Sequence, residues 1–158
     1  MTNLATAQPG AAIDRIDHRI AAFMNRHGTR LLRYALAVVF IWFGALKFTG
    51  YSPATDLAAR TMPMLPPEWF IPLLAGWEVL IGLCLAIRPL VRFAIALLLP
   101  QMIGTFLPLV LLPGETWTRF PWAPTLEGQY IIKNLVIVAA AVVVGGTVRR
   151  ASSHDKKL

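Results

Sequence analysis

One cysteine, three histidines and few charges leave this chain short of the groups that hold metals, haems or disulfides. Cys84 lies inside an apolar run, so an intramolecular disulfide, CxxC redox chemistry and cysteine-rich metal sites are excluded, and no metal is expected. His18, His27 and His154 fall in the terminal segments, and no pair of histidines sits where two helices could clamp a haem. The first ten residues have neither the basic start nor the apolar centre of a cleaved signal peptide. The net charge of +7 comes without a basic groove interleaved with aromatic platforms, so nucleic acid is not an expected partner.

Apolar residues are abundant. They make up 56% of the 158 residues, and the mean hydropathy is +0.59, far above an average soluble domain. They gather in four runs, at about 31–49, 69–87, 90–112 and 130–148. Each is close to the ~20 residues that cross ~30 Å of hydrocarbon at 1.5 Å per residue. Within lipid every backbone donor and acceptor must be satisfied inside the segment, which leaves helices as the assignment. The expected fold is therefore all-α, a four-helix transmembrane bundle over 31–148 whose first partner is the lipid bilayer. The two-residue link Arg88-Pro89 makes the second and third helices antiparallel neighbours, and Pro100, Gly104 and Pro108 predict an irregular third helix.

Residues 1–30 form a separate arm in this reading. Ile13, Ile16, Ile20, Phe23 and Met24 recur at helical spacing among Asp14, Arg15, Asp17, Arg19 and Arg26. That pattern predicts an amphipathic helix in the membrane interface, ended by Gly28, with a soluble arm docked on a partner as the alternative. Basic residues set the orientation. Arg15, Arg19, Arg26, Arg30 and Arg33 precede the first span, Arg88 and Arg92 sit at the middle turn, and Arg149, Arg150, Lys156 and Lys157 mark the tail over 149–158. Both termini are thus expected in the cytoplasm, with Trp69, Trp117 and Trp122 on the outer side.

Against this background four polar residues stand out. Glu78 lies about 13 Å below Trp69 along its helix, near the midplane, where a bare carboxylate is costly and marks a functional site by default. Gln101 falls at similar depth on the third span, whereas Lys47 and Lys133 lie about 4–6 Å from the outer ends of the first and fourth. Helical side chains lean toward the N-terminus of their own helix. Lys47 therefore leans inward and Glu78 outward, so the two approach, while Lys133 leans to the outer surface and snorkels. Two arrangements stay open: a Lys47–Glu78 ion pair, or two snorkelling lysines with Glu78 protonated against Gln101, Trp42 or Trp77. The candidate ligand-binding set is Lys47, Glu78, Gln101, Gln129, Lys133, Trp42 and Trp77.

Three segments add a resemblance. Arg33-Tyr34 followed by Phe40-Ile41-Trp42-Phe43-Gly44-Ala45-Leu46-Lys47-Phe48-Thr49 resembles the first-helix signature of the DoxX superfamily, in particular its YkgB-like branch. Gly76-Trp77-Glu78-Val79-Leu80-Ile81-Gly82-Leu83 is similar to the superfamily's G-x-E pattern in the second helix, and Gly128-Gln129-Tyr130-Ile131-Ile132-Lys133-Asn134-Leu135 to its G-Q-F/Y-x-x-K-D/N-L pattern in the fourth. The resemblance spans about residues 33–146 and implies a bacterial cytoplasmic-membrane protein. It also implies a link to quinone reduction or to oxidative and thiol stress. The first outer loop, with Pro53, Pro63, Pro66 and Pro67, departs from the acidic continuation of the YkgB-like branch.

The expected function is a redox-linked membrane subunit that binds a quinone near the Lys/Glu cluster. The chain carries no haem pair, cluster cysteines or nucleotide loop, so any enzymatic role would be that of an accessory subunit. A non-catalytic anchor recruiting soluble redox enzymes to its cytoplasmic face is one alternative, and a small proton or solute transporter another. Assembly as a homo-oligomer is left open.

Overall fold

The computed structural model describes residues 10–154. Lys156 and Lys157 of the expected basic tail lie outside the described residues, as do the side chains of Arg149 and Arg150. Four helical spans form a ring in which each packs against the next and the last against the first.

The first span is the end of α1 (Gly10–Phe48), a single helix of 39 residues. The expected break at Gly28 is absent. A glycine inside a helix costs only about 1 kcal/mol relative to alanine, too little to interrupt a helix that continues through Arg30, Leu31 and Leu32 into the first span. The arm and the first span are therefore one rod, about 58 Å long at 1.5 Å per residue and roughly twice the thickness of a hydrocarbon core.

The second span is α3 (Pro67–Ala86), which starts with proline at its first position, where the missing N–H has no partner to lose. It stops at Ile87, just ahead of Pro89. Its last carbonyls are not left bare: Arg33 Nη1 donates to Leu85 O at 3.2 Å and Ala86 O at 3.3 Å. The same guanidinium lies 4.5 Å above the Tyr34 ring. This cation at the negative end of a helix is favourable, and it gives Arg33 a structural role beyond setting orientation.

A 3₁₀ turn (Arg88–Leu90) leads into α4 (Val91–Phe106) and the short α5 (Pro108–Leu111), which together make the third span. Pro108 starts a new helical turn, but Leu107 N–H still reaches Ile103 O and Gly104 O, so the span continues. The fourth span joins α7 (Leu126–Ile132) and α8 (Asn134–His154) through Lys133, whose backbone stays helical. It begins before the expected Tyr130 because Thr125 caps it: Thr125 Oγ1 accepts from Gly128 N–H at 3.2 Å.

The helices meet in a core of Leu36, Phe40, Ile81, Leu85, Leu98 and Val144, nearer the end of the bundle that carries the termini. The closest pair is α1 and α3. A Cβ on Gly44 would lie 2.8 Å from Ala75 O, and one on Gly82 would lie 2.7 Å from Ala37 O. Lipid is as apolar as leucine, so such close dispersion contact, rather than escape from water, holds the helices together.

The loop end is closed by structure that hydropathy did not show. Helix α2 (Ala54–Thr61) packs on α3 and α5. After α6 (Pro113–Thr116), strands β1 (Trp117–Arg119) and β2 (Ala123–Pro124) form a small antiparallel hairpin. Thr116 is fully buried beneath it; its Oγ1 donates to Leu112 O at 3.0 Å and its carbonyl accepts from Thr125 N–H at 3.0 Å. Trp117 Nε1 donates to Leu109 O at 3.0 Å, tying the hairpin to the third span.

Candidate functional site: a buried lysine, carboxylate and amide

Lys47 sits in the last turn of α1 and Glu78 mid-way along α3. The glycine-lined approach of those helices leaves room for the two side chains to meet. Lys47 Nζ lies 2.6 Å from Glu78 Oε2, with only 6% and 11% of the two side chains exposed. From α4, Gln101 Nε2 donates to Glu78 Oε1 at 3.0 Å. Each carboxylate oxygen therefore has its own donor, from a different helix. Of the two arrangements open in the sequence, the structure contains the ion pair, and it also retains the Gln101 bond of the other.

Gln101 has one amide hydrogen and its carbonyl oxygen beyond the bond to Glu78. It also lines a crevice of about 130 Å³ between α3 and α4, together with Phe70, Leu73, Leu74 and Trp77. Leu73 is largely exposed there, so the crevice opens on the outer, lipid-facing side of the bundle. Apolar cavities of ~150 Å³ accept a benzene-sized ring, which puts this crevice at the scale of one small ring. Trp77 is fixed at its rim by Nε1, which donates to Leu97 O at 3.2 Å. That carbonyl lies in the turn of α4 just before Pro100.

The remaining sequence candidates lie elsewhere. Trp42 is 62% exposed on the outer face of α1. Gln129 and Lys133 are both exposed, and neither bonds to Glu78; Lys133 Nζ stands 4.2 Å above the Tyr130 ring instead. Spacing suggested one polar face, but helix rotation separates it into a buried triad and an exposed pair. Sequence reasoning missed Phe70, Leu73 and Leu74, whose residue types carry no chemical signal, and the backbone carbonyl of Leu97.

Four apolar spans around a buried ion pair define a multi-pass membrane protein with a polar site inside its helical bundle. Residues 28–111 match the family model for DoxX, and the chain belongs to the DoxX family. The matched region holds Lys47, Glu78 and Gln101 but ends ahead of Gln129 and Lys133. No curated protein and no solved structure matches this chain.

Proposed function

We propose that this protein is a redox-linked membrane subunit that binds a quinone head group in the crevice between α3 and α4. The observation that carries the reading is the double role of Gln101, which holds the Glu78 carboxylate on one side and lines an aromatic-walled, lipid-facing crevice on the other. A quinone head is a flat ring with carbonyl acceptors and an apolar tail. Trp77 and Phe70 offer ring surface, the free amide hydrogen of Gln101 suits a carbonyl oxygen, and the opening beside Leu73 leaves a tail in lipid.

A bound quinone would supply two-electron, two-proton redox chemistry. The chain's own contribution is narrower. Gln101 orients the head, Trp77 and Leu74 exclude water, and Lys47 Nζ pairs with the Glu78 carboxylate that anchors Gln101. Electrons come from a partner, since the sequence has no haem pair or cluster ligands of its own. The reading places the protein in a bacterial cytoplasmic membrane with both termini inside and soluble redox enzymes at that face. The basic residues around the terminal end of the bundle support that orientation.

The test is mass spectrometry of quinones co-purifying with wild type, Gln101→Leu and Glu78→Ala. Loss of quinone in both variants, with the bundle still folded, is expected. Equal quinone content in all three would overturn the reading.

A further inference from the structure

Helix α1 carries an apolar stripe that no other described element covers. At about 100° per residue, Ile13, Ile16, Ile20 and Phe23 fall on one face, and all four are more than half exposed. Their spacing of three, four and three residues is that of the first and fourth positions of a heptad. Because the helix is unbroken at Gly28, the face continues past His27, whose ring stands 4.8 Å from that of Phe23, into the first span as the exposed Leu31, Val38 and Trp42. The opposite face of α1 holds Leu36, Ala37 and Phe40, buried against the bundle. The stripe therefore points away from the chain's own core along its whole length.

In the span, lipid covers such a face. Beyond the span it does not, because a rod of this length stands roughly half outside the hydrocarbon. The arm thus presents large aliphatic and aromatic side chains to water, on a helix whose axis is set by the span. Lying flat on the surface would require a sharp bend that the structure does not contain.

The charges beside the stripe say what covers it. Arg19 and Arg26 lie along one flank and Asp17 along the other, while Arg30, at the membrane end of the arm, falls on the line of Phe23. When two such helices pair in parallel about a two-fold axis, the basic flank of each faces the acidic flank of its partner. An antiparallel pair would set arginine against arginine. Copies inserted into one membrane share one orientation, so the parallel sense is also the only one open to lateral neighbours.

From these observations we infer that α1 is the seam of a parallel homodimer, with the arm forming a short two-stranded coiled coil beyond the membrane. The occupant of the stripe is the same stripe of a second copy, and the seam runs from the arm onto the outer face of the first span.

Full-length protein in native membranes and in lipid nanodiscs tests this. Under mild oxidation, Ile13→Cys and Ile20→Cys should give a cross-linked dimer, whereas His18→Cys, on the opposite face, should not. Cys84 is buried and stays silent. Ile16→Asp combined with Ile20→Asp should turn a two-copy particle into a one-copy particle without changing the bundle's melting, because both side chains are solvent-facing. Arg19→Asp should weaken the dimer, and adding Asp17→Arg should restore it. Three results would each overturn the proposal: a one-copy wild-type particle, cross-linking that is equal on both faces, or strong quenching by brominated anionic lipid of the emission that Phe23→Trp adds to that of the native tryptophans. The last would mean that the arm lies on the membrane.

Discussion

Lys47 Nζ and Glu78 Oε2, 2.6 Å apart and almost wholly enclosed, join the end of α1 to the middle of α3. Neither helix could hold its charged residue alone at low cost, because each would face hydrocarbon or a desolvated interior. Together, and with Gln101 on the second carboxylate oxygen, they turn two liabilities into a three-helix junction. The junction also stands behind the amide that faces the crevice, so the structural core and the proposed binding site share a residue.

Breaking the pair from one side should be costly. Lys47→Met leaves the Glu78 carboxylate buried without its cation, with an expected loss of about 3–5 kcal/mol. Lys47→Met combined with Glu78→Leu should recover much of it, since no bare charge remains. Denaturant unfolding of wild type, these two variants and Glu78→Leu alone in a common lipid or detergent gives the coupling energy. Strictly additive losses would mean that the two side chains do not interact.

The close approach of α1 and α3 is the second dependency. A methyl group at Gly82 would meet Ala37 O and Ile41, so Gly82→Ala should lower stability by roughly 1–3 kcal/mol through overpacking. Gly104 has open space where a Cβ would go, so Gly104→Ala should be neutral or mildly stabilising. Thermal melts of the two alanine variants decide the matter; an equal response would contradict the packing described.

The loop end offers a contrast between a cap and a surface ion pair. Thr125 Oγ1 accepts from Gly128 N–H and donates to Glu115 O at 2.6 Å, so Thr125→Ala should cost about 0.5–2 kcal/mol and raise hydrogen exchange at the start of α7. Arg60 and Glu115 also meet, at 2.9 Å, but in the open, and Arg60→Ala should cost at most ~1 kcal/mol. A larger effect from Arg60 than from Thr125 would reverse the assignment.

How much of this was legible in the sequence follows from the range of each force. Leu31 to Thr49 reads as a span because the bilayer sets the length of an apolar run without reference to any neighbour. The Lys47–Glu78 pair was also within reach, since the lean of helical side chains is a local property. The positions of Gln129 and Lys133 were not, because spacing along one helix does not say how that helix is rotated against the others. Gly28 misled for a related reason: it is a weak local breaker, outweighed by the helix on either side.

The sequence alone determined an all-α membrane protein, the approximate extent of its four spans, and the residues too expensive to be mere filler. Those follow from solvation and covalent geometry, which act residue by residue. The tertiary structure alone decided that Gln101 completes the pair, that Trp77 and Leu73 frame a crevice beside it, and that the stripe on α1 faces away from the bundle. Those depend on how four helices rotate and close around one another, and that rotation is set by side-chain packing summed over the whole bundle.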